Sequence, residues 1–236
     1  MPRVPLNPSG WVQLCQDYPD EAVAEAVVGI ARFGARIGFQ GTRNGQRIAQ
    51  NLLSAGQLPG LLQEDLLEQM GERLAHNLRV PRRPPPCVLF LPLGACRQAR
   101  GIKRQIHHLS YPPGKSVNDG IPAEFGEITY STVDEIIAII QDLGEGAVML
   151  KQDFQDAFRQ IPVSPLNTPL LGFCFEERFY TGQFLPFGLH AAPYLFNLFA
   201  VVFHWILERH LEKVCKTVVR GDVGRYAYQV YKLRQP

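Results

Sequence analysis

Two aspartates at the end of an apolar run offer the most chemistry in this chain. In Val148-Met-Leu-Lys-Gln-Asp-Phe-Gln-Asp-Ala-Phe158 the apolar stretch leads into Asp153 and Asp156. A strand ending there delivers the Asp153 carboxylate to a sheet end beside solvent, with Asp156 in the turn or first helical step that follows. Two close carboxylates repel unless a cation stands between them, so the pair is a candidate Mg²⁺ site. The same residues admit a purely structural role, in which Asp156 caps a helix and Asp153 pairs with Lys151 or Arg159. Further on, Leu185-Pro-Phe-Gly-Leu-His-Ala-Ala-Pro193 forms a glycine-and-proline turn that opens a long apolar stretch. A cation held between the two carboxylates is an arrangement that metal-assisted phosphoryl transfer uses.

The elements that must position these residues are readable from period and punctuation. Asp20 caps a helix carrying Val23, Val27, Val28 and Ile30, and Gly34 ends it. Leu62, Leu66, Met70, Leu74 and Leu78 follow at helical steps and predict a second helix that stops at Pro81. Arg82-Arg-Pro-Pro-Pro86 is a stiff, extended connector, because each proline fixes φ and lacks an amide donor. We place the main boundary there. Beyond it, Val88-Leu-Phe-Leu91 and Gln105-Ile-His-His-Leu109 read as strands, with turns at Tyr111-Pro-Pro-Gly114 and Asn118-Asp-Gly120. Ser131 and Thr132 precede Asp134 and Glu135 with capping-box spacing, starting a helix bearing Val133, Ile136, Ile137 and Ile140, closed by Gly144 and Gly146. Val148 to Phe154 is a strand, and Gly172–Phe175 with Arg178–Thr181 form a hairpin around Glu176-Glu177. Pro193 suits the first turn of a helix bearing Leu195, Phe199, Val202, Phe203 and Ile206. Strands interleaved with helices in this order predict an α+β fold with helices packed on one face of a sheet.

Composition narrows the function classes. With 236 residues, 46% hydrophobic and 19% charged, the chain is an ordinary globular protein able to bury a full core. No apolar run is long enough to span a bilayer, which takes about 18 residues, so no membrane partner is expected. Met1-Pro-Arg-Val-Pro leads into no apolar signal core, and the five cysteines are odd in number and lack a CxxC pair. The expected setting is intracellular, cytoplasm or nucleus, with reduced thiols. The net charge is only +2, yet the segment from Arg79 to Asn118 holds eight Lys or Arg and no Asp or Glu. Such a run is either a polyanion-binding surface or a solvated face with a basic linker.

The ordered motifs Arg104-Gln-Ile-His-His-Leu-Ser-Tyr-Pro-Pro-Gly-Lys-Ser-Val-Asn-Asp-Gly-Ile121, Gln152-Asp-Phe-Gln-Asp-Ala-Phe-Arg-Gln-Ile-Pro-Val163, Leu171-Gly-Phe173 and Leu185-Pro-Phe-Gly-Leu-His-Ala-Ala-Pro-Tyr-Leu-Phe-Asn197 resemble a reverse transcriptase. The resemblance is to the RNA-directed DNA polymerases of eukaryotic retroelements of the tyrosine-recombinase, DIRS-like type. It covers roughly Val88 to Glu208, with weaker similarity back to about Trp11. It implies the fingers and partial palm of a polymerase right hand, a ferredoxin-like antiparallel sheet with helices on one face behind a helical N-terminal region. The implied division is 1–86 as a helical extension with a proline-rich linker, 87–212 as fingers and partial palm, and 213–236 as a divergent basic tail.

The resemblance also assigns roles. Asp153 matches the catalytic carboxylate that binds both Mg²⁺ ions of a complete enzyme, and the Phe154 backbone carbonyl helps hold one ion. Asp156 and Ala157 match positions that meet the triphosphate and sugar of the incoming deoxynucleoside triphosphate. Phe158 matches the aromatic gate that crowds a ribose 2′-OH, and it suits a plain core aromatic nearly as well. Arg104 matches the fingers arginine on the triphosphate, and Phe187 with Gly188 matches the turn that packs on nucleotide and template. Lys103, Arg100 and Lys115 are the implied contacts to the RNA template and DNA primer, or to their heteroduplex. His107 and His108 alternate along a strand and so face apart, against a shared metal. His190, His204 and His210 read as surface or satisfied helix histidines, and Arg220-Gly-Asp222 as a chance tripeptide.

The pattern breaks after the long helix. The family continues into a hairpin carrying an aromatic residue and adjacent aspartates, which complete the two-metal site. Here 208–236 contains a single aspartate, Asp222, with no acidic neighbour. Lys103 stands where an aromatic is usual, and Leu91 where a serine is frequent. The expectation is an enzyme truncated before its Tyr-x-Asp-Asp motif and impaired or inactive by itself. Alternatively it is a non-catalytic nucleic-acid-binding remnant, or a functionless reading frame whose palm sheet lacks its last hairpin; a partner chain supplying the rest of the palm stays open.

Overall fold

The computed structural model describes residues 6–43, 47–70, 78–79, 89–97, 103–128, 132–154, 157–211, 215–223 and 226–233. Helix α1 spans Pro8–Leu14, and the Asn7 carboxamide oxygen accepts from the Ser9 and Gly10 amides at 3.2 and 3.3 Å. Helix α2 spans Glu21–Phe33, with Asp20 accepting from the Val23 amide at 3.1 Å and Gly34 ending it at φ +77°, as the sequence predicts. Gly34 earns its place twice over. A Cβ there would lie 2.6 Å from the Ser164 amide nitrogen, because the chain crosses the 162–164 segment at this point. Ala35 donates to the Pro162 carbonyl at 2.7 Å and accepts from Ser164 at 2.9 Å.

A short helix α3 (Leu53–Gln57) precedes α4 (Pro59–Met70), which buries Leu61, Leu62 and Leu66. The helical period of the sequence runs on to Leu78, but the structure does not. Leu78–Arg79 is strand β2, paired antiparallel with Gly182 and Thr181 of β8 (Arg178–Gly182). An open strand edge offers backbone partners that outweigh a local periodic preference. Strand β1 (Arg47–Ile48), β3 (Leu89–Leu91), β7 (Gly172–Phe175), β8 and β2 form a five-stranded sheet in the order β1-β3-β7-β8-β2. The β1–β3 and β3–β7 pairs are parallel and the rest antiparallel. The β7–β8 turn holds Glu176 and Glu177 at φ +47° and +60°, the left-handed pair that a tight hairpin requires.

Strand β4 (Leu93–Arg97), which no sequence signal announced, pairs with β5 (Lys103–His107) as a separate antiparallel hairpin. The proline-rich connector at 82–86 lies outside the described residues. Strands from before it (β1, β2) and after it (β3, β7, β8) share one sheet.

Helix α5 (Val133–Leu143) starts with the expected reciprocal cap. Thr132 Oγ1 accepts from the Glu135 amide at 3.2 Å, and Glu135 accepts from the Thr132 amide at 2.6 Å. Strand β6 (Ala147–Asp153) follows, and the long helix α6 spans Ala192–Leu211. The expectation of a tail that leaves the sheet without its last hairpin is corrected here. Strands β9 (Cys215–Val223) and β10 (Tyr226–Leu233) pair antiparallel, and β10 also pairs antiparallel with the whole of β6. The alternating Val and Tyr residues of this segment suit a pleated strand, and pairing with β6 outweighs the weak strand preference of Gly221.

Two buried clusters support these elements. One joins α1, α2 and α6 with the loops at 109–121 and 157–171, through Val27, Ile37, Leu109, Ile161, Leu185 and Val202 among others. Trp11 meets Phe199 edge-on at 4.9 Å, Tyr18 meets Trp205 edge-on at 5.3 Å, and the Arg209 guanidinium lies over Trp205 at 4.8 Å. The other cluster gathers α3, α4, β4, β7 and β8 around Leu62, Leu93 and Phe173. Among the described residues no helix is long and apolar enough to cross a membrane.

Candidate active site

The turn at 185–191 is fixed by one side chain from far away in sequence. Asn118 donates through Nδ2 to the Gly188 carbonyl at 2.9 Å, and its Oδ1 accepts from the His190 amide at 2.9 Å. The same Nδ2 reaches Ser110 Oγ at 2.9 Å. Asn118 is itself seated by its backbone amide on the Leu109 carbonyl at 3.0 Å. Beside it, Asp119 accepts from the Ser116 amide and hydroxyl at 2.9 and 2.6 Å, and these bonds hold its carboxyl below the usual range. Gly188 adopts φ +86°, a conformation that side-chain-bearing residues disfavour. A Cβ there would sit 3.6 Å from the His107 carbonyl oxygen, so the turn lies close along β5.

An aromatic ladder links this turn to the end of β6. Phe158, in the 3₁₀ turn Ala157–Gln160, lies 5.4 Å from Phe187 and 5.9 Å from Phe196, centroid to centroid. Phe196 meets Phe154 at 5.7 Å, and Phe154 meets Phe203 at 5.1 Å. Of the sequence-predicted residues, Phe158, Phe187 and Gly188 therefore come together. Ala157 is buried beneath them, donating its amide to the Phe154 carbonyl at 3.2 Å. Phe187 keeps an exposed face, 42% accessible. Lys115 is exposed on the 110–120 loop. Lys103 and Arg104 stand in β5 opposite Arg97 and Cys96. Asp156 and Arg100 lie outside the described residues.

The strand register locates the carboxylates. Asp153 is the last residue of β6 and pairs with Tyr226 of β10, which pairs in turn with Val223 of β9. Asp222 is level with Ala227, and Ala227 with Gln152. Rows of directly paired residues alternate along a sheet. Asp222 thus stands in the row next to that of Asp153. The hairpin end bears Val223 and Tyr226 around Gly224-Arg225, with no adjacent aspartates. Two Mg²⁺ ions need carboxylates from both sides of the reacting phosphate. Among the described residues the donors near this sheet end are Asp153, the Phe154 carbonyl, which accepts from the Ala157 amide, and Asp222 in the neighbouring row. Among the described residues that set is short of the carboxylates a pair of ions needs, and Asp156 lies outside them.

His107, raised in the sequence only as half of a histidine pair, packs its ring on Phe173 at 4.6 Å, whereas His108 lies 5.8 Å from Tyr111. The Gln105 amide nitrogen donates to His107 Nε2 at 2.8 Å, which leaves the ring proton on Nδ1. Nδ1 is buried and has no hydrogen-bond partner among the described residues. Burial first, and the Arg159 charge second, lower the ring's pKa to about 3, so it is neutral beside the 185–191 turn. The residue that the sequence reading missed is Asn118. It figured only as part of a turn, and its partners are separated from it by 70 and 72 positions.

This arrangement defines a reverse-transcriptase-like fold. The chain superposes on the native crystal structure of prototype foamy virus protease-reverse transcriptase with a TM-score of 0.53 and 15% identity, covering 97% of this chain and 29% of that one. It also superposes on the foamy viral protease-reverse transcriptase dRH in complex with double-stranded DNA, with a TM-score of 0.51 and 12% identity, covering 100% of this chain and 40% of that one. In sequence, 61 residues (26% of the chain) are 31% identical to the genome polyprotein of Petunia vein clearing virus, of which they span 3%. No known protein-family profile matches the chain. The chain spans well under half the length of the solved structures it resembles and a small fraction of the polyprotein.

Proposed function

We propose that this chain is the fingers and partial palm of an RNA-directed DNA polymerase of the retroelement, DIRS-like type, retaining nucleotide and nucleic-acid contacts but impaired in chemistry. The observation that carries the reading is the assembly of Phe158, Phe187 and the Asn118-clamped Gly188 turn beside the end of β6. An aromatic ring and a glycine backbone held together in this way suit the sugar and base of a deoxynucleoside triphosphate. Arg104 supplies the triphosphate contact, and Lys103, Arg100 and Lys115 carry template, primer or heteroduplex. The double-stranded DNA in one similar structure supports a nucleic-acid partner. The setting is cytoplasm or nucleus. Asp153 and the Phe154 carbonyl would hold Mg²⁺ on one side, and that ion would supply charge neutralisation for phosphoryl transfer. The second side lacks its acidic pair, so turnover is expected to be slight or nil.

Primer extension on an RNA template with Mg²⁺, paired with heteroduplex binding at several salt concentrations, tests both halves. The expected result is extension at background for the chain and for Asp153→Asn alike. Heteroduplex binding should weaken as salt rises and on Arg104→Ala. Robust extension abolished by Asp153→Asn would refute the impairment, and salt-independent or absent binding would remove the polymerase reading altogether.

A further inference from the structure

An open pocket of about 540 Å³ shares no lining residue with the Phe158–Phe187 site. Its walls include Arg36, Phe39, Gln40, Arg43, Phe125 and Asn167, and among the described residues no carboxylate lines it. Asn167 is only 4% exposed, and its carboxamide makes no hydrogen bond among the described residues. Its polar atoms are not shut off from solvent, so the carboxamide is open to a polar group that enters the pocket. Arg36 is exposed and has no ion pair or hydrogen bond among the described residues. Arg43 is already committed. It donates to the Leu166 carbonyl at 2.7 Å, and its guanidinium sits over the Phe39 ring at 5.6 Å, so it serves as a wall. The Gly38 backbone, at φ +75°, presses against the Phe125 ring, where a Cβ would lie 3.1 Å away.

Each wall selects a different part of one ligand. A free guanidinium takes a phosphate, apolar aromatic walls take the body of a planar ring, and an unpaired carboxamide takes a ring edge that presents a donor beside an acceptor. We infer that this pocket binds a nucleoside monophosphate unit, with its phosphate on Arg36, its base against the phenylalanine rings and an adenine-type edge on Asn167. An acidic peptide would satisfy Arg36 but leave the rings and the amide unused. The unit can come from a free mononucleotide or from an unpaired nucleotide of a strand. The inference does not rest on the polymerase reading, and a chain inert in primer extension leaves it standing.

Photolabelling of the whole chain with 8-azidoadenosine 5′-monophosphate, with the labelled peptides mapped by mass spectrometry, tests it. Saturable labelling is expected within 36–43 or 165–167, protected by excess adenosine monophosphate. Arg36→Ala should raise the concentration needed for protection about tenfold or more, the usual loss for a charge-assisted bond. Asn167→Ala should erase any preference for adenosine over inosine monophosphate. A 5′-phosphorylated oligoadenylate that protects better than the mononucleotide assigns the site to a strand, and equal or poorer protection assigns it to the free nucleotide. Labelling that is absent, unsaturable or confined to other peptides overturns the inference, as does an Arg36→Ala chain that behaves like the parent. Arg36 is a surface side chain, so that variant decides the matter even if Asn167→Ala fails to fold.

Discussion

His107 shows how a single side chain can tie the candidate site to solution conditions. Its ring is sealed against Phe173, its pKa is lowered to about 3, and its carbonyl borders the Gly188 turn. In the unfolded chain the imidazole takes up a proton near pH 6.5, whereas in the folded chain it does not. The stability this neutral ring supports is therefore complete above about pH 6.5 and is lost as pH falls from there towards 3. The limiting slope is about 1.4 kcal/mol per pH unit. Urea unfolding across that window should give a steeper acid loss for the parent than for His107→Phe, and equal slopes would contradict the assignment. Asn118 makes the complementary point about legibility. The sequence marks it as a turn residue, and nothing local distinguishes it from any other Asn-Asp-Gly. Its role arises only when the Gly188 and His190 backbone folds over it.

Elements whose determinants are local were legible, and those that depend on a distant edge were not. The Asp20 and Thr132 caps, the Gly34 and Gly144 stops and the Glu176-Glu177 hairpin all follow from residues within a few positions. The helix expected to reach Leu78 fails because β8 recruits Leu78 and Arg79 across about a hundred positions, a long-range pairing that periodicity cannot report. Gly34 combines both kinds of determinant, since it ends α2 and also admits the 163–164 backbone. Gly34→Ala should cost about 2–4 kcal/mol, from the left-handed φ and the backbone overlap together. Gly29→Ala, mid-helix with nothing within 4 Å of the added Cβ, should instead stabilise by about 0.5–1 kcal/mol. Chemical denaturation of the two variants side by side checks the contrast, and a shared sign would show that the close approach at Gly34 is not what constrains it.

At the scale of the molecule, β9 and β10 matter for solubility as well as for the candidate site. Among the described residues β10 is the ladder partner of β6, so ending the chain at Leu211 would bare the edge that β10 covers. The shortened chain should self-associate at micromolar concentration, as read by size-exclusion chromatography with light scattering. A monodisperse monomer with unchanged melting would argue that the hairpin is dispensable. The strand that Asp153 ends was legible in the sequence because it is an obvious apolar run. The hairpin opposite it was not, because its strand character comes from pairing rather than from the acidic motif that would have marked it.

The placement of the two tryptophans gives the protein a lopsided optical signature. Trp11 and Trp205 both lie against the α1–α2–α6 cluster, on Phe199 and Tyr18, and the α3–α4–β7–β8 cluster has none. Indole emission therefore reports on the α1–α2–α6 cluster. An unfolding event confined to the other cluster, where Phe173 stacks on Tyr180 at 5.1 Å, would leave that emission unchanged.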